Sequence, residues 1–544
     1  MGVMHITEIP SSRPTSTNLD NYHKRDGQDV GFTMKAYGNG VMTTSNIGVQ
    51  NTGDVEYHVE ILVAGEKFTV VLDTGSSDLL VVPEVAGVKL KNSNTTSARA
   101  TISFAAGSAS GDLALANVQL GSYTVPQQLF LNVDQIRNFP DGIEGVLGMS
   151  LSRGVLSQSF NVSFGSDLAT KSAGNFIENV FTQKSNDQDF FDILLGRSND
   201  LDDVNEGRFM IGEHAPGFEN IQSQPKLFRQ SSQYWDVSMQ SVTVNGIMKA
   251  APKSNVNGTP AGNIVTVLDT GFSLPPLPPV MVDAIYSNFP GSVFFDDGAA
   301  GQWIIPCMSS ANVTFTVGGQ SFPIHPLDLT RIMSLPLPDL GNVTLCVNTF
   351  VRTVLDPTAF PIDGVLGDPF LRNAYVSYNS GDENQGPYAQ LLSTTDPVQG
   401  YAEFTPARAT ALKSLPLEVE PSKIIKAMTV LANANTNTTS TSMSLNSTTA
   451  AVIGAVAEGD LAGDNISGLS STVNRYGPVV IGLLAANLLV GLLLLIIGIS
   501  AFLRGVISKG GKSRSVASTY APVRFKDPEN EDSTESKVFT NYSY

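Results

Sequence analysis

The chain has 544 residues, an apolar fraction of 42% and a formal net charge of −17, with 50 acidic and 33 basic side chains. The length allows three or four domains at about 150 residues each, and the apolar fraction is ordinary for a folded globular protein. The acidic balance excludes nucleic acid as a partner, because phosphate contacts need a basic face, and solubility is the simpler interpretation of the charge. Two cysteines, Cys307 and Cys346, are too few for a disulfide-rich scaffold. They form either one bridge in a secreted chain or two separate buried thiols.

The first segment, residues 1–50, is polar and rich in glycine, serine and threonine. This composition predicts a disordered segment or a pro-segment. The opening string MGVMHITEIPSSRPTSTNLDNYHKRDG has no apolar core of the kind that a signal peptide contains. We therefore expect the natural start to lie upstream. The dibasic pair Lys24-Arg25 is either a pro-segment cleavage site or a solvated surface pair.

Short strand patterns run from Glu56 to about Pro406. The string YHVEILVAGEKFTVVLDTG alternates, is rich in β-branched residues and contains a glycine turn, which predicts strands. Helical patterns are few, the clearest being GNFIENVFTQKSN (residues 174–186) and PPVMVDAIYSNFP (residues 278–290). We therefore predict an all-β body.

The composition changes after the body. Residues 407–475 contain strings such as NANTNTTSTSMSLNSTT, which predict a glycosylated stalk rather than a packed domain. Residues 476–503 carry no charge and exceed the roughly 20 residues that a helix needs to cross a bilayer. Basic residues follow this span closely, so we expect the tail, residues 504–544, to be cytoplasmic and the body of the chain to be extracellular or lumenal. A polar tail also excludes a GPI signal.

Eight N-glycosylation sequons agree with an extracellular or lumenal body. They begin at Asn94, Asn161, Asn257, Asn312, Asn342, Asn437, Asn446 and Asn465. Each sequon alone is a weak signal, because short patterns recur by chance. Their number before the predicted span indicates a glycoprotein.

The body repeats itself. FTVVLDTGSSDLLVVP (residues 68–83) and IVTVLDTGFSLPPLPP (residues 264–279) each lead a β-branched strand into Asp-Thr-Gly. Each is followed later by Val-Leu-Gly, in DGIEGVLG (residues 141–148) and IDGVLGDPF (residues 362–370). We therefore predict two homologous lobes, residues 51–215 and residues 216–406.

Facing lobes would bring Asp73 and Asp269 together, with Gly75 and Gly271 allowing sharp turns and close approach. Two carboxylates at short range cannot both ionise cheaply, so the pair shares one proton. The ionised carboxylate is then a general base toward water, and the protonated one is a general acid toward a substrate carbonyl. Water attacks directly in such a site, so this chemistry requires neither a covalent intermediate nor a metal or other cofactor.

The sequence resembles the pepsin-like aspartic proteases, and we expect a fungal member anchored at the cell surface. The resemblance covers about Glu56 to Pro406. Its motifs are VVLDTGSSDLLVVP, TVLDTGFS, DGIEGVLG, YWDVSMQSV (residues 234–242) and GVLGDPFLRNAYVSYN. One Asp-Thr-Gly would be a weak signal, whereas two with matching strands and later Val-Leu-Gly strings are strong.

This resemblance implies a bilobal all-β fold with a cleft between the lobes, and endopeptidase activity on extended polypeptides. It implies that Thr74 and Thr270 lock the two loops by reciprocal hydrogen bonds. It also implies a bridge between Cys307 and Cys346 in the second lobe.

Two departures from the family concern the flap, a hairpin over the cleft. The family has a flap Tyr where the string ISFAAGSASGDL places Phe104, and a Trp after the first Asp-Thr-Gly where this chain has Leu80. In the family these two polar rings hydrogen-bond to each other. Their joint replacement predicts an apolar contact, because a buried phenol without its partner would be costly.

The third departure is Phe272. The first loop has Ser76, which can donate a hydrogen bond to Asp73, whereas Phe272 has no donor for Asp269. Loss of a donor favours the neutral carboxyl. We therefore hypothesise that the upper apparent pKa of the pair is raised, so that activity extends toward less acidic pH.

Other hydrolase classes have no support in the sequence. The five histidines form no HExxH motif, and there is no GxSxG string. A retroviral-type half-site that dimerises is excluded, because both Asp-Thr-Gly loops lie in one chain. The remaining alternative is a catalytically inactive surface protein of the same fold that binds peptides or proteins. We favour an active, monomeric protease at acidic pH, because both aspartates, both threonines and both glycines are intact.

Overall fold

The computed structural model describes residues 5–8, 31–32, 34–37, 49–52, 57–104, 107–137, 142–151, 154–164, 174–183, 189–197, 207–231, 233–296, 300–337, 339–358 and 360–436. All of these lie within one compact unit, Met1–Asp460. Several sequence-based predictions fall outside the described residues: Lys24-Arg25, residues 437–475 of the stalk, the span 476–503 and the tail 504–544.

Strands dominate the described residues, as predicted. The first thirteen are β1 (His5–Glu8), β2 (Gly31–Phe32), β3 (Met34–Tyr37), β4 (Val49–Thr52), β5 (Tyr57–Val63), β6 (Glu66–Asp73), β7 (Leu79–Val81), β8 (Asn94–Ser103), β9 (Ser108–Leu120), β10 (Tyr123–Arg137), β11 (Gly145–Gly148), β12 (Phe190–Leu194) and β13 (Arg208–Ile211). The others are β14 (Leu227–Phe228), β15 (Asp236–Val244), β16 (Ile247–Ala250), β17 (Ile264–Leu268), β18 (Pro276–Leu277), β19 (Val293–Phe295), β20 (Gln302–Ile305), β21 (Val313–Val317), β22 (Gln320–Ile324), β23 (Thr330–Leu337), β24 (Gly341–Asn348), β25 (Val351–Arg352), β26 (Gly364–Leu366), β27 (Ala374–Asn379) and β28 (Tyr388–Ser393).

The helices of the described residues are fewer and mostly short. They are α1 (Pro83–Ala86), α2 (Val155–Phe164), α3 (Phe176–Gln183), α4 (Pro279–Tyr286), α5 (Asp368–Leu371), α6 (Pro397–Leu412) and α7 (Pro421–Thr436). The two helical patterns recognised in the sequence correspond to α3 and α4. Within the described residues, no helix combines the length and the apolar composition needed to cross a bilayer.

Two separate sheets each carry one copy of the sequence repeat. A nine-stranded sheet has the order β2-β4-β5-β6-β11-β7-β10-β9-β8. A six-stranded sheet has the order β22-β21-β15-β17-β26, with β16 paired to β15. In both, the strand that leads into Asp-Thr-Gly pairs in parallel with the strand of the Val-Leu-Gly string, β6 with β11 and β17 with β26.

A five-stranded sheet of order β13-β12-β27-β28-β14 joins the two halves of the chain. Strands β12 and β13 precede residue 215, whereas β14, β27 and β28 follow it. The lobe boundary predicted at residue 215 therefore falls beside a shared sheet. This sheet gives the two repeat-bearing sheets a common base.

The packed structure continues past residue 406, where the sequence analysis begins the stalk. Arg408 of α6 is 1% exposed and donates to the Thr330 carbonyl at 3.0 Å. Ile424 of α7 is fully buried in an apolar cluster with strand residues such as Ile304. The stalk boundary predicted at residue 407 is therefore too early. The sequence pattern did not reveal α6, because Gly400 and Pro406 lie within this helix and interrupt its helical pattern.

The disulfide implied by the family resemblance is confirmed, since Cys307 and Cys346 are bonded. Residues of α6 and of the segment that follows it contact the bridge. Arg408 lies with Nη1 3.3 Å from Cys346 Sγ, and Glu418 accepts a hydrogen bond from the Cys307 N–H at 2.7 Å. The bridge and the two helices thus belong to one packed region.

The described residues of the segment 1–50 form strands rather than the disorder that composition suggests, and the pro-segment interpretation stays a prediction. It contributes β1 paired with β3, and β2 paired with β4. Strand β4 adds to the edge of the nine-stranded sheet, with Val49 opposite Val59 of β5. Edge pairing uses backbone hydrogen bonds and needs no apolar side-chain pattern, so composition alone does not predict it.

Candidate active site

Two buried aspartates stand at the ends of equivalent strands. Asp73 is the last residue of β6, and Asp269 directly follows β17. They are 0% and 2% exposed. Strand β17 is buried at every position, as its continuous apolar run indicates. Rigid, buried strands therefore deliver both carboxylates to one interior place.

The threonines of the two loops exchange hydrogen bonds. Thr74 Oγ1 donates to the Leu268 carbonyl at 2.9 Å, and Thr270 Oγ1 donates to the Leu72 carbonyl at 2.6 Å. The Thr74 N–H donates to Thr270 Oγ1 at 3.1 Å, and the Thr270 N–H donates to Thr74 Oγ1 at 3.0 Å. Each hydroxyl thus bridges both strands, which holds the two loops in register.

Gly75 is the point of closest approach between the loops. A Cβ added to Gly75 would lie 2.0 Å from Asp269 Oδ2 and 2.4 Å from Asp269 Cγ. Any side chain at this position would therefore displace the Asp269 carboxyl group. The glycine is required by the packing of the backbone against the opposite aspartate.

The two carboxyl groups have unequal hydrogen-bond partners. Asp73 Oδ1 accepts from the N–H groups of Gly75 at 2.8 Å and Ser76 at 3.2 Å, and Oδ2 accepts from Ser76 Oγ at 2.5 Å. Asp269 Oδ1 accepts from the Gly271 N–H at 2.7 Å, and the Gly75 N–H also faces this carboxyl group. Asp73 is therefore the better stabilised anion.

Phe272 occupies the position that Ser76 holds in the first loop. Its ring is 9% exposed and belongs to an apolar cluster with Tyr234, Val265 and Ile362. The Phe272 N–H donates to the Asp269 carbonyl at 3.4 Å rather than to its carboxyl group. The second loop therefore replaces a side-chain donor with apolar packing.

Burial and the charge of the neighbouring carboxyl group give Asp73 and Asp269 different pKa values. Burial raises the pKa of Asp73 above its ordinary value, opposed by the hydrogen bonds from Ser76 and Gly75. The pKa of Asp269 is raised well above the ordinary value, first by burial and then by the negative charge of Asp73. Both directions favour the shared proton on Asp269 and the negative charge on Asp73.

A model of the eukaryotic aspartyl protease family matches residues 56–390, which is more than half of the chain. The chain belongs to this family. Together with the protease relatives described next, this identifies the chain as an aspartic-type endopeptidase.

The curated relatives span fungi and vertebrates. The probable vacuolar protease A of Trichophyton verrucosum is 26% identical over 63% of this chain and 80% of that protein. Vacuolar protease A of Aspergillus fumigatus is 26% identical over 63% of this chain and 81% of that protein. Pepsin A of Rhinolophus ferrumequinum is 24% identical over 62% of this chain and 82% of that protein.

The string that the sequence analysis predicts as the flap forms the hairpin of β8 and β9. At its tip, the Phe104 N–H donates to the Gly107 carbonyl at 2.7 Å, and the Gly107 N–H returns a bond to Phe104 at 3.2 Å. Phe104 is 9% exposed and shares an apolar cluster with Leu80, which is fully buried. The two residues predicted to replace the family's polar rings are thus both packed among apolar side chains.

The sequence analysis assigned no role to Asp78, which is nine-tenths buried behind the first loop. Its carboxylate accepts from the N–H groups of Val155 at 2.8 Å and Leu156 at 3.2 Å, at the start of α2. Burial raises the pKa of Asp78 to about 6, opposed by these two bonds. Asp78 thus ties α2 to the catalytic loop, and no local pattern signals this because its partners are distant in sequence.

Tyr234 is the second residue without an assigned role. It packs in the same apolar cluster as Phe272, and burial together with the charge of Asp269 raises its pKa to about 12. The neighbouring Trp235 donates its Nε1–H to the Met149 carbonyl at 3.0 Å. The string YWDVSMQSV was recognised as a family motif in the sequence. The motif did not show that Tyr234 packs in the same cluster as Phe272.

Proposed function

We propose that this protease is catalytically active and hydrolyses peptide bonds in extended polypeptides at acidic pH. The observation that carries the proposal is the buried Asp73–Asp269 pair. Burial, hydrogen bonds and the charge of Asp73 favour ionised Asp73 and protonated Asp269. Such a pair supplies a general base and a general acid at one place.

The reaction begins with Asp73 taking a proton from water while the water oxygen attacks the scissile carbonyl carbon. Asp269 gives its proton to the carbonyl oxygen, which produces a tetrahedral diol. A proton then passes from Asp73 to the amide nitrogen, the C–N bond breaks, and Asp269 recovers a proton as the new carboxyl group forms. The reciprocal hydrogen bonds of Thr74 and Thr270 hold the two loops in place through these steps.

We also propose that the protease acts as a monomer fixed to a membrane by residues 476–503, with its body outside the cell or in a lumen. The support is the uncharged apolar length of this segment and the basic residues after it. The N-glycosylation sequons in the body agree with this orientation.

Cleavage of a mixed peptide library by the full chain at acidic pH tests the proposed activity. We expect cleavage that pepstatin inhibits and that Asp73→Asn reduces by about a thousandfold or more, because the general base is lost. The alternative, an inactive binding protein, predicts no cleavage by the parent chain and no difference on Asp73→Asn. That result would refute the proposal.

A further inference from the structure

The flap carries a third strand along its length. Strand β10 pairs with β9 up to its last residue, where Arg137 lies opposite Ser108. On the other side of β9, Ser108 lies opposite Ser103 of β8, next to Phe104. Neighbouring strands lie about 4.8 Å apart, so Arg137 is about 10 Å across the sheet from the flap tip residue.

A cavity of about 720 Å³ opens beside this end of the flap. Its lining is mostly polar and comes from the flap, from the end of β10 and from α2, and it includes Thr101, Ser108, Ser110, Asp134, Arg137 and Ser159. Hydroxyl groups and charged groups therefore surround a space large enough for a side chain and the adjacent backbone.

The wall formed by α2 is fixed to the catalytic loop. Asp78, in the loop that begins at Asp73, holds the first N–H groups of α2. Phe160 of α2 is 3% exposed and belongs to the apolar cluster that contains Phe104. The cavity is thus built against the same elements that present the first catalytic carboxylate and the flap tip.

Among the described residues that line the cavity, one cation forms no ion pair with a carboxylate. Arg99 donates to Asp112 at 2.7 Å and to both carboxylate oxygens of Asp134 at 2.7 and 2.8 Å, so its charge is shared by two aspartates. Arg137 is exposed at the cavity and forms no ion pair with a carboxylate of the described residues. A guanidinium in this state fits an incoming carboxylate by bidentate hydrogen bonds.

We propose that this cavity is an extended substrate subsite in which Arg137 selects an acidic side chain a few residues from the scissile bond. The proposal rests on the proposed endopeptidase function and deepens it by naming a substrate class. An extended peptide advances about 3.3 Å per residue, which matches a site displaced from the flap tip by a few residues. The hydroxyl groups of Ser108 and Ser110 supply further polar contacts.

The selectivity has a defined dependence on pH and salt. A substrate glutamate with an ordinary pKa of about 4.3 is ionised above that pH, so the preference should disappear as pH falls through this value. Among the described residues, the ionisable groups that line this cavity with Arg137 are Arg99 and Asp134, and the pKa of Asp134 is lowered by its bonds to Arg99. Asp134 therefore stays ionised while the substrate titrates. Added salt should weaken the preference, because the site is open to solvent.

The experiment compares kcat/KM for peptide pairs that differ by Glu or Gln at successive positions around one cleavage site, using the full chain. We expect about a tenfold preference for Glu at one position, as for a hydrogen bond to a charged group. Arg137→Ala should abolish this preference by lowering kcat/KM for the Glu peptide to about the value for the Gln peptide. Arg137→Glu should shift the preference to a Lys peptide. The control Lys249→Ala removes an exposed positive charge on β16 and should retain the preference.

Equal cleavage of Glu and Gln peptides at every position, or a Glu preference that survives Arg137→Ala, would overturn the subsite while leaving the endopeptidase function intact. Absence of cleavage for all peptides would instead refute the proposed function, and the subsite proposal with it. The two failures are therefore distinguishable in one data set.

Discussion

Ser76 and Phe272 hold equivalent positions beside the two aspartates, and their difference adds to the asymmetry that burial and the charge of Asp73 produce. Ser76 donates at 2.5 Å to Asp73, whereas the ring of Phe272 packs with Val265 and offers no donor. A donor stabilises the ionised carboxyl, so its absence keeps the pKa of Asp269 high. The proposed chemistry requires protonated Asp269, so we expect this residue to govern the loss of activity at higher pH.

Replacing Phe272 with Thr should restore a donor to Asp269 and lower its pKa. Activity that depends on the protonated form is lost as pH rises through that pKa, so the upper limb of the pH–rate profile should move to lower pH. A hydrogen bond to a charged group contributes roughly 1.5–3 kcal/mol, which corresponds to about one pH unit or more. The measurement is kcat/KM against pH for Phe272→Thr and for the control Phe272→Leu, which has no donor. An upper limb that Thr leaves in place would contradict this explanation.

At the scale of elements, the C-terminal helices α6 and α7 extend the folded protease. Arg408 of α6 is buried against Thr330 and the disulfide, and Ile424 of α7 is fully buried against a strand cluster. Residues 416–419 also pair with β24, through the Thr344 N–H and the Leu417 carbonyl at 3.1 Å. These contacts make the helices part of the fold rather than of a stalk.

A matched pair of substitutions on α7 tests this assignment. Ile424→Asp should place a charge in an apolar cluster and destabilise the protein by about 3 kcal/mol or more. Val430→Asp, on the 58% exposed Val430 of the same helix, should change the free energy of unfolding by no more than about 0.5 kcal/mol. Thermal unfolding measures both. Equal and small effects would show that α7 does not contribute to the packed fold.

The sequence predicted the elements whose signals are local. The β-branched runs before Asp73 and Asp269, and the amphipathic pattern of α3, are each contained in a short string. The elements that were missed depend on distant partners: α6 is interrupted by Gly400 and Pro406, and β4 is defined by backbone pairing at a sheet edge. Asp78 acquires its role only from α2, which lies far along the chain.

At the scale of the whole molecule, the two repeats produce one site because each loop completes the other. Thr74 bonds to the strand before Asp269, and Gly75 makes room for the Asp269 carboxyl group. The repeat predicted that the two aspartates meet with close approach at the glycines, and the family resemblance implied the threonine bonds. The unequal protonation could be predicted only in direction, because burial and hydrogen-bond geometry set it.

The proposed anchor makes a prediction about the whole chain. Because residues 476–503 are long and apolar enough to span a bilayer, the full chain should remain with membranes after an alkaline carbonate wash. A chain ending at residue 475 should be released. Protease digestion of sealed vesicles should remove the tail 504–544 only when its predicted cytoplasmic side faces outward. Release of the full chain by the wash would contradict the anchor.

The central claim is that Asp73 and Asp269 act together as base and acid, and the pH–rate profile of peptide cleavage tests it most directly. For the full chain between about pH 3 and pH 8, we expect a bell-shaped kcat/KM, since one carboxyl group must be ionised and the other protonated. Asp269→Asn should abolish the bell and reduce kcat/KM by about a thousandfold or more. A profile without an upper limb, or an Asp269→Asn variant that retains the parent profile, would contradict the claim.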